Sequence, residues 1–178
     1  MTTAIAQADL EGIREGGGHL QTDGAALSQV VSFRLGKEQY ATNIMCVQEI
    51  ILKDAITSIP EVPDYICGLI NLRGKVIPIV DLRKRLRLEA EKETEHTRII
   101  VVNSKNHTFG IVVDAVNEVL RLENDQIEPP PKGLQSLDST YIDGLVKMED
   151  TIMILLSIEG ILTEDDQSTI ADAASKVS

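Results

Sequence analysis

The feature that most constrains this chain is that it repeats itself. Tyr40-Ala41 followed by Ile44, Val47, Glu49 and Ile50 returns as Phe109-Gly110 followed by Val113, Val116, Glu118 and Val119, at a constant spacing of 69 residues. Farther on, Tyr65-Ile66-Cys67-Gly68-Leu69 returns as Tyr141-Ile142-Asp143-Gly144-Leu145 at a spacing of 76, and Val76/Ile152, Ile79/Leu155, Leu82/Ile158 and Leu86/Leu162 keep that register. The copies therefore differ by seven residues inserted in the second, between Val119 and Tyr141, where the Pro- and Ser-rich stretch Glu128 to Ser139 offers a loop to absorb them. Aliphatic residues match by chance in an Ile- and Val-rich chain. Chance does not hold register over two long stretches, each with an aromatic-small pair or a Tyr-Ile-x-Gly-Leu pattern. A unit of roughly 60 residues with about five short strands has the size of a small barrel, and two such units, marginal alone, need a shared hydrophobic seam.

Local patterns give the same fold class. Val31-Ser32-Phe33-Arg34-Leu35 alternates with period two, and Gly36-Lys37-Glu38-Gln39 reads as a turn into Tyr40 to Ile44. Pro60, Pro63 and Pro129 to Pro131 exclude helix and central strand where they stand. With no Trp, two Phe and three Tyr, Ile, Val and Leu must fill the core, and β-branched residues favour pleated strands. The expected chain is mainly β. A flexible N-terminal arm over residues 1–28, with a weak stripe at Ile5, Leu10 and Ile13 stopped by Gly16-Gly17-Gly18, precedes a domain over 29–165. That domain consists of two tandem or intertwined barrels with repeat units 30–88 and 97–162, and Glu89 to Glu95 is a charged linker between them. Ser157 to Leu162 fits a short helical turn. Thr163 with Asp166 resembles a capping box for a final helix over Glu164 to Ala174, within a tail of 163–178.

A search for chemistry finds little. Net charge is −11, from 28 acidic against 17 basic residues, which disfavours nucleic acid and anionic membrane as partners. No run approaches the roughly 18 apolar residues of a membrane span, and the start lacks the basic and apolar regions of a signal peptide, so direct membrane insertion is not expected and a cytoplasmic protein is. Cys46 and Cys67 form no CxxC and read as buried reduced thiols. His19, His96 and His107 have no partner at metal-ligand spacing, and GxSxG, P-loop and GxGxxG patterns are all missing. Composition leaves open a small carboxylate hydrolase. Most acids, however, fall in turns, linker or tail, and Asp81 and Asp114 read as strand ends. The expectation is a non-enzyme with no catalytic residue, metal or cofactor.

One segment breaks the symmetry. Apolar runs on either side of Arg73-Gly74-Lys75 compose a hairpin whose turn displays a guanidinium, whereas the second copy has Glu149-Asp150-Thr151 at those positions. The fold therefore does not require the arginine, and recognition of a partner's carboxylates or carbonyls does better at explaining it.

At this segment the chain resembles the CheW family of chemotaxis coupling proteins. The family's N-L-R-G-x-V-x-P-I-x-D-L-R core is met by Asn71, Leu72, Arg73, Gly74, Val76, Pro78, Ile79, Asp81, Leu82 and Arg83. Tyr40, Val47 to Ile50, Ile59-Pro60-x-x-Pro63, Phe109 to Asp114, Gln126 to Pro131 and Tyr141-Ile142-x-Gly144 extend the likeness over roughly residues 30 to 165. The resemblance implies two SH3-like five-stranded barrels with a hydrophobic groove between them. It implies a cytoplasmic adaptor, recruited to membrane-associated receptor arrays, that couples the helical hairpin of methyl-accepting chemoreceptors to the regulatory domain of the histidine kinase CheA. The same fold serving a non-flagellar chemosensory pathway for twitching, gliding or development is the alternative. Carried over by position, the receptor-facing residues are Val47, Glu49, Gly68, Arg73 and Val119, with Val47 and Val119 offering apolar surface. Kinase-contact residues are not assignable. Lys132-Gly133 replaces an acidic-aromatic pair of some relatives, which puts side contacts between adaptors in doubt. From charge alone, Glu49 is the residue to hold the Arg73 guanidinium.

Overall fold

Ile99-Ile100-Val101-Val102 is apolar at every position, yet successive side chains of a strand point to opposite faces. Such a run needs cover on both sides, and the architecture supplies it. The computed structural model describes residues 27–89, 91–105, 107–130 and 141–177. The first sequence copy forms β1 (Leu27–Leu35), β2 (Glu38–Asn43), β3 (Val47–Leu52), β4 (Ile66–Leu72), β5 (Lys75–Asp81) and the short helix α1 (Leu82–Arg85). The second forms β6 (Arg98–Ser104), β7 (His107–Val113), β8 (Ala115–Glu123), β9 (Ile127–Glu128), β10 (Ile142–Lys147) and β11 (Ile152–Leu156), followed by α2 (Glu164–Val177).

These strands make two sheets, ordered β8-β1-β2-β11-β10-β9 and β3-β6-β7-β5-β4. Neither sheet comes from one sequence copy. Each copy lends its first two strands to the other's sheet, so the barrels are interleaved. The exchange keeps register in both directions. Ile50 pairs with Ile100 in one sheet as its equivalent Val119 pairs with Val31 in the other. Ile79 lies beside Gly110 in a parallel pair as Leu155 lies beside Ala41. Even the irregularities recur: β4 and β10 slip at Ile66/Gly68 and at Ile142/Gly144. In the first copy the switch of sheet occurs at a 3-10 turn, Ile44–Cys46, capped by Asn43, whose Oδ1 accepts the Met45 N–H at 2.8 Å.

Both sheets curl shut by one device. β8 continues through a turn at Asn124–Gln126 into β9, which pairs with β10 at Glu128↔Leu145. The chain leaving β3 likewise returns to β4, where Thr57 N–H donates to Leu69 O at 2.9 Å and Leu69 N–H to Thr57 O at 2.8 Å. Leu69 and Leu145 are repeat twins, and the glycine before each makes room. A Cβ on Gly68 would stand 2.1 Å from the Thr57 carbonyl oxygen, and one on Gly144 2.9 Å from that of Glu128. Closure removes the exposed strand edges that would otherwise invite aggregation.

The core falls into three parts that follow strand alternation. Ile77, Ile79, Ile99 and Val101 fill one barrel, and Val30, Ala41, Leu122, Val146, Met153 and Leu155 fill the other. Ile100 and Val102, on the opposite face of β6, join Phe33, Tyr40, Phe109 and Ile111 in a larger cluster between the sheets. That seam explains the continuous apolar runs. Phe33 and Tyr40 stack within it at 6.2 Å between centroids.

A buried ion pair also bridges the exchange. Arg83 of α1 pairs with Asp114, which lies between β7 and β8, and the same carboxylate accepts the Gly36 N–H of the β1–β2 turn at 2.6 Å. Several local expectations shift. β1 begins at Leu27, inside the stretch read as an arm to Ser28, because Leu27 and Ser28 already pair with Glu123 and Leu122. Glu38 and Gln39 belong to β2 and not to the turn, since they pair with Leu35 and Arg34. α2 runs past Ala174 to Val177, and its box is formed: Thr163 N–H donates to Asp166 Oδ2 at 3.0 Å and Asp166 N–H to Thr163 Oγ1 at 3.1 Å. His19, Lys132-Gly133 and most of the expected arm and insertion lie outside the described residues.

Candidate partner-docking site

Arg73 and Gly74 form a two-residue hairpin turn between β4 and β5, with φ of 54° and 85°. Positive φ at both central positions matches the twist of the flanking strands. Glycine takes it freely, while for arginine it costs on the order of 1 kcal/mol. The Asn71 side chain supports the turn by accepting the Gly74 N–H at 2.8 Å. Arg73 is 66% exposed, yet its Nη1 lies 2.5 Å from Oε2 of Glu49, which is only 4% exposed. The two residues come from β4–β5 and β3, the strands that close this barrel. A carboxylate so buried is costly unless a cation meets it. The hydrogen bond to Glu49, then the Glu49 charge, raise the Arg73 pKa above its already high ordinary value, so the guanidinium is permanently charged. A guanidinium carries five N–H donors in a planar fork, which leaves some for a partner.

The surroundings are apolar. A cleft of about 470 Å³ between β3 and β4 is lined by Ile51, Leu52, Thr57, Leu69, Asn71 and Leu72, and Arg73 follows directly in the chain. Met45 is 74% exposed, and Leu52 and Val76 are also largely exposed. In the other barrel, β10 and β11 are joined at Met148 to Thr151 by a wider turn, and Glu118, twin of Glu49, is exposed. The cation and its buried acid thus belong to one barrel alone.

Of the five expected receptor-facing residues, the structure brings Glu49 and Arg73 into contact. Val119 is half-buried on the flank of the seam, opposite Val31. Two expectations need correction. Val47 is wholly buried in the seam and offers no apolar surface, because it opens β3 directly beneath the 3-10 turn and pairs with Val102. Gly68 is buried too, and its lack of a side chain serves barrel closure. Between the sheets lies the seam cluster, and Cys46, Val116 and Val119 are half-buried residues packed against it. Met45, Leu52 and Val76, which are exposed, and Val116, which is half-buried, are apolar residues that sequence reasoning did not assign to the site. The repeat gave no signal for Val116, because its twin Val47 is wholly buried.

Both cysteines are free and half-buried, and burial foremost pushes Cys67 up to about 11, so it stays a thiol. Among the described residues no group of three or more His, Cys, Asp or Glu is placed to hold a metal, and no helix is long and apolar enough to cross a membrane.

Comparison with known proteins places this arrangement. The family model for the CheW-like domain matches residues 29–166. "Chemotaxis protein CheW" of Klebsiella aerogenes is 38% identical over 142 residues, 80% of this chain and 86% of the relative. The protein of the same name from Bacillus subtilis is 35% identical over 147 residues, 82% of this chain and 94% of the relative. Among solved structures, scaffolding protein TtCheW from Thermoanaerobacter tengcongensis superposes with a TM-score of 0.74 at 34% identity, covering 83% of this chain and 94% of that one. With the family model spanning both interleaved barrels and relatives matched along most of their length, this chain belongs to the CheW-like domain family.

Proposed function

We propose that this chain is a chemotaxis adaptor that couples chemoreceptors to the kinase CheA and performs no catalysis itself. Family membership supports the role, and relatives named for chemotaxis together with a solved scaffolding protein support its class. The observation that carries the docking site is the asymmetric Arg73–Glu49 pair: an exposed cation, anchored by a buried acid, on one barrel of an otherwise duplicated fold. Glu49 holds the fork in place, so less side-chain freedom is lost when a partner binds.

In this reading the receptor's cytoplasmic helical hairpin lies across the Arg73 turn and the apolar margin at Met45 and Val119. Arg73 fixes its orientation through carboxylates or helix-end carbonyls. The kinase's regulatory domain takes a separate surface, and both bind in assemblies held beneath the membrane that contains the receptors. The adaptor then contributes linkage: contacts made to two proteins at once raise the effective concentration of each for the other. Reconstitution tests the role. Receptor-containing membranes and purified kinase should show ligand-responsive phosphorylation only when this protein is added, and equal activity without it would overturn the proposal.

A further inference from the structure

One cluster at the centre of the strand exchange plays no part in the docking site. Tyr65 and Tyr141 are repeat twins, and their carbonyls accept N–H groups that are twins as well, Asp81 at 2.7 Å and Ser157 at 2.8 Å. The guanidinium of Arg85 lies 4.5 Å from the ring centroid of Tyr65 and 4.9 Å from that of Tyr141, so one cation meets both aromatic rings. Its Nε–H donates to the carbonyl of Ile161 at 2.7 Å. Ile161 is the twin of Arg85 at the 76-residue spacing. Residues related by the duplication therefore meet one another here, which puts Arg85 at the approximate twofold axis of the molecule. A group on such an axis is accommodated once. A second arginine at position 161 would compete for the same space, and a fully buried isoleucine stands there instead.

A further partner comes from α2. Asp166 Oδ2 lies 3.7 Å from Arg85 Nη2, with the two side chains 10% and 13% exposed, and Asp166 also accepts the Tyr65 hydroxyl. Burial first, then that hydrogen bond, hold the Tyr65 phenol up to about 12, so it remains a donor at ordinary pH. Beyond this carboxylate, α2 is anchored in the seam by Ile170 and Ala173. A 14-residue helix joined to the seam along one face is a natural unit of local opening.

We propose that Arg85 is an interlock at the join of the two barrels, coupling their mutual arrangement to the docking of α2. When α2 lifts, Arg85 loses its counter-charge and its hold on the paired tyrosines loosens. A partner that shifts the join, in turn, releases α2. Linkage makes the coupling equal in both directions. Arg85 is thus a positioning residue, and lysine does not replace it, because an ammonium cannot face two rings and keep a fixed N–H on Ile161.

Hydrogen exchange on the full chain tests this, comparing wild type with Asp166→Asn, Arg85→Met and Arg85→Lys. Asparagine keeps an acceptor for the α2 cap but removes the charge. Asp166→Asn is expected to speed exchange about tenfold in α2 and also in the Tyr141–Leu145 segment, which is linked to Asp166 through Arg85, while Ile99–Val102 is unchanged. Arg85→Met should loosen α2 and both tyrosine segments together, and Arg85→Lys should not restore them. Acceleration confined to α2 in Asp166→Asn, or no acceleration, overturns the proposal. So does a uniform acceleration of every strand in Arg85→Met. Should Arg85→Met fail to fold, Asp166→Asn alone decides.

Discussion

Replacing Gly68 by alanine tests how the barrels close, and the structure sets the size of the effect. The added Cβ would stand 2.1 Å from the Thr57 carbonyl oxygen and 2.7 Å from its carbon, both backbone atoms, at a φ of +148° that side-chain-bearing residues rarely adopt. A carbon and a carbonyl oxygen need roughly 3.3 Å. The returning chain must therefore retreat by about 1 Å and give up the two hydrogen bonds between Thr57 and Leu69, at about 1 kcal/mol each. Strained backbone adds about 1–2 kcal/mol, for a total of about 3–4 kcal/mol. Gly144→Ala, the twin change, meets the Glu128 oxygen at 2.9 Å and a movable Ile127 methyl at 2.8 Å. Ordinary overpacking of about 1–2 kcal/mol applies there. In urea unfolding, with a slope of about 2 kcal/mol/M, the Gly68 variant's midpoint should fall by about 1.5–2 M and the Gly144 variant's by less than about 1 M. The reverse ranking, or a negligible cost at Gly68, would refute the closure argument.

Two other outcomes follow from the polar and thiol groups. Arg83→Ala should destabilise by about 3 kcal/mol, because it strands Asp114 beside Gly36 with its buried cation gone. Adding Asp114→Ala should then cost much less than its own single change, and additivity in that double-mutant cycle would contradict the pairing. Cys67, held at about 11 by burial first and the Asp81 charge next, should react with iodoacetamide at pH 8 about a hundredfold more slowly than a free thiol. Rapid labelling of the folded protein would show that the burial is wrong.

The duplication was legible because spacing survives in the residues themselves: Tyr65/Tyr141 and Gly68/Gly144 keep their distance whatever the fold. What spacing does not encode is which strand lies beside which. Ile79 pairs with Gly110 of the other copy, and nothing in the local pattern of either strand names that neighbour. The run Ile99 to Val102 is apolar at every position because the sheets supply an interior on one side of it and the seam on the other. At the candidate site the Arg73 turn and its acidic holder were readable from composition and charge. Val47 was not. Its burial depends on the 3-10 turn at Ile44–Cys46 and on the slip between Val47 and Glu49, which upset simple alternation along β3. Gly68 likewise read as part of a recognition motif, although the reason for glycine there is a backbone oxygen brought in from Thr57, eleven residues away in sequence.

The central claim concerns what the Arg73 guanidinium does outside the molecule. Titrating Arg73→Ala against a membrane-embedded receptor and, separately, against the kinase's regulatory domain tests it most directly, with the thermal midpoint of the variant recorded alongside. The account predicts at least about a tenfold loss of receptor affinity, as expected for a central arginine contact, with kinase affinity and folding preserved. Undiminished receptor binding, or a loss of both partners together with stability, would mean that Arg73 serves only to neutralise Glu49.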